Sequence, residues 1–245
     1  MNRDHWLLSR PIAHRGLHND EIPENSMAAF GRAIEAGYPI ETDVRLIDDG
    51  TVVVFHDDKL SRMTGRDGYC SNLTKADLSE LRLSKSDESI PTFEDFLAFV
   101  NGRTPLLIEI KNDNKVGALE NKVLQMLRAY GGEYAVQSFN PYSMGYFRQN
   151  EPGVVRGQLS CVFDKKDLGF VRRSLLSRLK LNSVSCPDFI SYGHWCLPNK
   201  YVSRTGLPVL AWTVRSQSEA EKVAEVSDNI IFEGFVPEKK ENGDL

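Results

Sequence analysis

Short apolar runs alternate along this chain with longer segments of helical period. "PIAHR" predicts a strand and "NSMAAFGRAIEAG" a helix, with Asn25 as N-cap and Gly37 as its end. "PIETDVRL" predicts a strand and "TFEDFLAFV" a helix capped by Thr92. "PLLIEIK" and "YAVQSF" predict strands, each followed by a helix: "VGALENKVLQMLRAYG", then "PYSMGYFRQN" with Pro141 in its first turn. "VVRGQLS", "DLGFVRRSLLSRLK", "NSVSCPDF", "HWCLPNKYVSRTG", "LPVLAWTV", "SQSEAEKVAEV" and "NIIFEG" continue the same alternation.

Eight strand-then-helix units, without a clear helix after the last strand, imply parallel strands joined by helical crossovers. Eight units in 245 residues fit an α/β fold of the (β/α)8 TIM-barrel type. An open doubly wound sheet shares the periodicity. One segment breaks the rhythm: between "TDVRL" and "TFEDFL" lie a second apolar run, "TVVVFH", and about thirty mostly polar residues. The expectation is one domain over 1–245 with a small insertion after strand two, a cap at about 57–90.

The same region holds the first chemistry. In "ETDVRLIDDGTVVVFHD" the pair Asp49-Gly50 signals a type I′ hairpin, which sets Asp48 against Thr51 and Asp43 against His56. Glu41 and Asp43, two residues apart, share one strand face. In "PLLIEIK", Glu109 and Lys111 share a face with Leu107, so polar residues gather only at the strand's C-terminal end. Glu41 and Asp43 could be a solvated strand face, His56 a strand-end residue, and Glu109 and Lys111 a salt-bridged edge. Inside a barrel that reading weakens, because the inward face is normally apolar and sites form at the C-terminal rim. Two inward acids repel each other unless a cation or a proton sits between them. Glu41, Asp43 and Glu109 then form a hard oxygen set suited to Mg²⁺ or Ca²⁺.

His14 and Arg15 end the first strand at that rim. Arg15 offers a planar fork and Lys111 a point charge for a phosphate. His14 and His56 titrate near neutrality, as acid–base cleavage of a P–O bond requires. His18 is expected in the loop beyond the strand, outside that pair.

Composition narrows the class of partner. With 41% hydrophobic and 26% charged residues and a net charge of −4, the chain is an ordinary globular one, without the basic stripe a nucleic-acid partner needs. "VRRSLLSRLK" is locally basic and reads as a solvated helix face. Cys70, Cys161, Cys186 and Cys196 lack metal-ligand spacing and read as reduced thiols. Neither a signal peptide nor a membrane span is apparent. The expectation is a cytoplasmic protein that does not insert into membranes; its oligomeric state is not legible.

These motifs resemble the glycerophosphodiester phosphodiesterase family. Its "HRG…PENT" stands here as "HRGLHNDEIPENS", and its "E-x-D-V…DG…VV-x-HD" as "ETDVRLIDDGTVVVFHD". "HDDKLSRMTGRDGYCSNLTKADLSEL" matches its insertion, and "IPTFEDFL…LLIEIK", "QSF" and "AWTV" follow in order, over residues 12 to 236. The resemblance implies a (β/α)8 barrel with an inserted cap, and hydrolysis of a small glycerophosphodiester to glycerol 3-phosphate and an alcohol. It implies His14 and His56 as the acid–base pair, and Glu41, Asp43 and Glu109 as ligands of a divalent cation. It further implies Arg15 and Lys111 on the phosphate, and Phe139 and Trp212 walling the pocket. Two departures stand out: Arg215 occupies the slot of an amide in "WTVN", and Glu233 that of the aspartate in "T-D-x-P". A lipid-directed phospholipase or lyase, and a barrel that binds phosphodiesters without turnover, are the competing readings.

Overall fold

The first strand, β1 (Ile12–Ala13), is two residues long, yet it closes the sheet. Ile12 and Ala13 pair in parallel with Ile231 and Phe232 of β9 (Asn229–Phe232), and Ala13 pairs with Ile40 of β2 (Ile40–Leu46). Between these ends run β4 (Leu106–Ile110), β5 (Tyr134–Ser138), β6 (Arg156–Ser160), β7 (Phe189–Gly193) and β8 (Val209–Val214), in the order β1-β9-β8-β7-β6-β5-β4-β2. The computed structural model, which describes residues 4–112, 115–166 and 169–238, is thus a closed barrel of eight parallel strands. The open sheet is excluded by the β1–β2 pairing. A ninth strand, β3 (Val52–Val54), lies antiparallel on β2 outside the ring.

The helices in chain order are α1 (Trp6–Ser9), α2 (Met27–Glu35), α3 (Ser61–Thr64), α4 (Lys75–Leu78), α5 (Phe93–Val100) and α6 (Ala118–Ala129). They continue as α7 (Pro141–Asn150), α8 (Phe170–Ser177), α9 (Asn182–Ser185), α10 (Lys200–Ser203) and α11 (Gln217–Val223). Period-two alternation sorts each strand between two cores. Ile40, Val44, Leu106, Ile108, Ile110 and Val136 face outward onto Phe30 of α2, Phe96 of α5 and Leu124 of α6. Ile12, Leu107, Ala135, Phe189, Leu210 and Ile231 fill the interior above Trp6 and Leu7 of α1, which plug the base. Gly157 is required there: a Cβ at this position would stand 2.2 Å from the Phe189 ring. One level higher the interior turns polar. Asp43 lies beside Glu109, and Glu109 beside Gln137, in register.

The segment between β3 and α5 carries its own apolar cluster. Leu60, Met63, Cys70, Leu73, Leu78, Leu81, Leu83 and Ile90 pack with Ile47, Val53 and Phe55 of the β2–β3 hairpin. Thr74 and Asp77 form a capping box at the start of α4.

Several local expectations need correction. The N-cap of α2 is Ser26, whose hydroxyl accepts from the Ala29 N–H; Asn25 precedes it at φ 56° with its side chain turned to β2. The β2–β3 turn is a three-residue loop. Ile47 pairs with Thr51, the Gly50 N–H donates to the Ile47 carbonyl, and only Gly50 of Asp48, Asp49 and Gly50 has positive φ. The register moves by one, so Asp43 opposes Phe55 rather than His56. "NSVSCPDF" is mostly α9, because a strand cannot run through Pro187, which lacks an N–H; β7 starts at Phe189. "HWCLPNKYVSRTG" is divided at Pro198 into a 3₁₀ turn (His194–Cys196) and the short α10.

Candidate active site at the barrel mouth

The C-terminal end of the polar interior holds Glu41, Asp43 and Glu109, all buried, with one carboxylate oxygen from each within 4.8 Å of the others. Two strands in register produce this, since Asp43 and Glu109 are lateral neighbours and Glu41 lies one pleat below. Lys111, just past β4, sets its Nζ 2.7 Å from Glu109 Oε1 and 3.2 Å from Asp43 Oδ1. Arg15 follows β1 at φ 56°, next to Gly16 at φ 80°, where a Cβ would press on the Ala29 backbone at 2.9 Å. This tight turn aims the Arg15 Nε at Asp43 Oδ2 (3.3 Å), while the Arg15 N–H donates to Glu41 Oε2 (3.1 Å).

Asn25 completes the setting of Asp43. Its Nδ2 donates to Asp43 Oδ2 at 2.9 Å, and its Oδ1 accepts from the Thr42 hydroxyl. Burial works to raise the Asp43 pKa, but Lys111 and Arg15 hold it well below the usual carboxylate range. Burial and the charges of Asp43 and Glu109 push Glu41 well upward, and burial raises Glu109. A set of three buried acids in which two resist ionisation is short of positive charge. Asp43 Oδ1 is buried and meets only the Lys111 ammonium at 3.2 Å, with no hydrogen bond aligned on it. Hard oxygen donors, close spacing and this under-partnered oxygen fit a divalent cation.

The two predicted acid–base histidines are both close enough to Asp43 to act on its titration. His14 Nδ1 is 2.5 Å from Glu233 Oε2, and its Nε2 is 3.9 Å from Glu41 Oε2. His56 lies beyond the end of β3, with Nδ1 2.6 Å from Asp57 Oδ1 and its carbonyl held by Arg45 at 2.7 and 2.9 Å. Burial and Arg15 lower the His14 pKa. Burial is also the main cause that depresses His56, to about 4, with Lys111 and Arg15 adding to it. Burial thus favours the neutral form of each ring, and each turns Nδ1 to a carboxylate. The Nδ1–H tautomer follows from that partner, and it leaves the Nε2 lone pair to take a proton, which the charged ring can then give back.

Sequence reasoning missed the outer layer that holds these groups. Glu24 Oε1 pairs with Arg15 Nη1 at 2.6 Å, and Arg62, from the inserted segment, donates to Glu24 at 2.6 and 2.8 Å. The same guanidinium donates to Asp57 at 2.5 and 3.1 Å, so Arg62 ties the partner of Arg15 to the partner of His56. Burial opposes ionisation of Asp57, but hydrogen bonds from Arg62 and His56 hold its pKa at about 2. Glu233, noted only as a departure from a motif, proves to be the partner of His14. Its Oε1 pairs with Arg215 Nη2 at 2.6 Å, and its Oε2 lies 3.6 Å from His18 Nε2. His18 is in the loop, as expected, but it stands beside the partner of His14.

The other half of the rim is aromatic. Phe139, just past β5, meets Trp212 of β8 edge-on at 5.6 Å between centroids and Phe163, past β6, at 5.7 Å. Trp195, past β7, meets Trp212 at 5.4 Å. The structure thus brings the expected wall residues together and adds Phe163 and Trp195.

Fold and site together define a barrel phosphodiesterase. The glycerophosphoryl diester phosphodiesterase family profile matches residues 14–232. The chain belongs to that family and is an enzyme of that type. It is 30% identical over 224 residues to YhdW of Bacillus subtilis, covering 86% of this chain and 88% of that one. It is 33% identical over 159 residues to a glycerophosphodiester phosphodiesterase of Caldanaerobacter subterraneus, covering 60% and 65%. A phosphodiesterase from Oleispira antarctica, solved with the product sn-glycerol-3-phosphate, superposes with a TM-score of 0.77 at 25% identity and covers 93% of each chain.

Proposed function

We propose that the protein hydrolyses small glycerophosphodiesters to glycerol 3-phosphate and an alcohol, with a divalent cation on Glu41, Asp43 and Glu109. The observation that carries this reading is the buried three-carboxylate cluster, with His14 Nε2 3.9 Å from Glu41 Oε2. Family membership and the sn-glycerol-3-phosphate bound to the Oleispira relative support the substrate class. The cation, Mg²⁺ or Ca²⁺, would neutralise phosphate oxygens and stabilise charge that develops as the P–O bond breaks.

The chain's own residues supply the rest. Arg15 and Lys111 stand beside the acids and present cationic donors to the phosphate. One of His14 and His56, entering neutral, takes a proton on its bare Nε2; the other enters protonated on Nε2 and gives that proton to the leaving alkoxide as the P–O bond breaks. Glu233 and Asp57 fix the two rings and stabilise whichever becomes cationic. Phe139 and Trp212 wall the organic part of the diester. The inserted segment acts as a cap whose Arg62 ties the two sides of the site together.

The test is to incubate the protein with glycerophosphocholine, glycerophosphoethanolamine and glycerophosphoglycerol, with Mg²⁺, Ca²⁺ or a chelator. Release of glycerol 3-phosphate that the chelator stops is the expected result. Failure with all three headgroups would remove the substrate assignment, and activity indifferent to the chelator would remove the cation.

A further inference from the structure

Helix α8 is built unlike the other helices of eight or more residues. α2, α5, α6 and α7 each bury several side chains, whereas no residue of Phe170–Ser177 is buried. At its start Phe170 and Val171 are 76% and 67% exposed, and Val162 on the same β6–β7 connection is 54% exposed. Large apolar side chains grouped in solvent mark a surface that meets something.

Charge indicates what that is. Residues 162–180 carry Lys165, Lys166, Arg172, Arg173, Arg178 and Lys180 against Asp164 and Asp167, on a chain whose net charge is −4. Lys165, Lys166, Arg172, Arg178 and Lys180 are exposed. Exposed apolar side chains at a helix start, with cations before and after them in sequence and the Arg173 guanidinium 5.9 Å from the Phe170 ring, complement an anionic headgroup layer over hydrocarbon. The position is equally informative. Phe163, early in the same connection, is part of the aromatic wall, so the connection starts at the barrel mouth.

We propose that the β6–β7 connection docks on an anionic lipid surface, with Phe170 and Val171 entering the interface and the lysines and arginines on the headgroups. Docking there would present phosphodiesters carrying an acyl chain to the mouth; this second part rests on the phosphodiesterase reading, and the docking does not.

Co-sedimentation separates the two. The full chain should pellet with vesicles of phosphatidylglycerol and phosphatidylcholine in equal parts, and stay in solution with phosphatidylcholine alone. Phe170→Ser with Val171→Ser should lower the partition about tenfold. Arg172→Glu with Arg173→Glu should abolish it, and added salt should weaken it. Circular dichroism and thermal melting establish that the variants are folded, whether or not any diester is hydrolysed. Wild-type protein that stays in solution with both vesicles overturns the proposal, as do folded variants that pellet like wild type. A dimer that dissociates on Phe170→Ser, without vesicle binding, would assign the face to a second copy and overturn it too.

Discussion

On the β1, β2 and β4 side of the barrel mouth, Glu41, Asp43 and Glu109 are almost wholly buried. Asp43 alone is approached by Arg15, Asn25 and Lys111. On the β5 to β8 side stand Phe139, Phe163, Trp195 and Trp212, joined by edge-to-face contacts, with Trp195 56% exposed. Charged groups in a low-dielectric interior are fixed by their partners, because losing one partner leaves another charge uncompensated. Rings held by dispersion at an open rim are far less constrained. On the function proposed above, the charged half would be fitted to one invariant group, a phosphate with its cation. The aromatic half can accept organic groups of differing shape.

The comparison predicts unequal sensitivity, greatest at Asp43. Asp43→Asn keeps the size and removes the charge that faces Arg15 and Lys111. We predict that kcat/KM falls about a thousandfold, which corresponds to several kcal/mol of lost transition-state stabilisation. Titration calorimetry should show divalent-cation binding lost in parallel. A variant that binds the cation as wild type does, or keeps a tenth of the activity, would contradict the assignment of Asp43 as a ligand.

Next comes Arg62, which touches no proposed substrate group. Arg62→Ala frees Glu24 and Asp57, so Arg15 and His56 lose their common brace. Removal of such an outer partner typically costs about 10- to 100-fold in activity. The pH dependence of stability should change as well. Asp57 is held at about 2, against an ordinary value of 3.8, and Glu24 is also lowered, with Arg62 the main pull on both against burial. A depressed carboxyl stabilises the fold above its unfolded value, and the contribution is lost as pH falls through the folded one. Wild type should therefore carry this contribution at pH 5 and lose it towards pH 2, while the variant lacks it already at pH 5. Melting curves across that window check the sign; parallel curves for the two proteins would refute the brace.

The two halves were also unequally legible in the sequence. Glu41, Asp43, Glu109 and Lys111 could be placed because strand periodicity fixes the face and barrel topology the end. His56 was assigned to the site through a hairpin register that is wrong by one residue. It lies past the end of β3 with its carbonyl held by Arg45, a contact that strand pairing alone does not reveal. The brace of Glu24, Asp57 and Arg62 joins three separate stretches, and no local pattern announces such contacts. Glu233 was visible only as a motif departure; its role needed the closure of β9 on β1. The barrel itself was legible, while β7 and the segment after it were misread where Pro187 and Pro198 interrupt the pattern.

The smallest effect should be at Trp195, and it sharpens the comparison most. Trp195 is held at the rim by its contact with Trp212 and by the ring of His194 at 5.4 Å. Half exposed, it can offer an open indole face to a headgroup and takes no part in proton transfer. A cation over an exposed aromatic face is worth about 0.5–1 kcal/mol. Trp195→Ala should therefore raise KM for glycerophosphocholine about threefold at unchanged kcat, and leave glycerophosphoglycerol nearly unaffected. Steady-state kinetics on the two diesters give the answer. If kcat fell alike for both, the aromatic half would be holding the reacting phosphate in place, and the division of labour across the mouth would have to be redrawn.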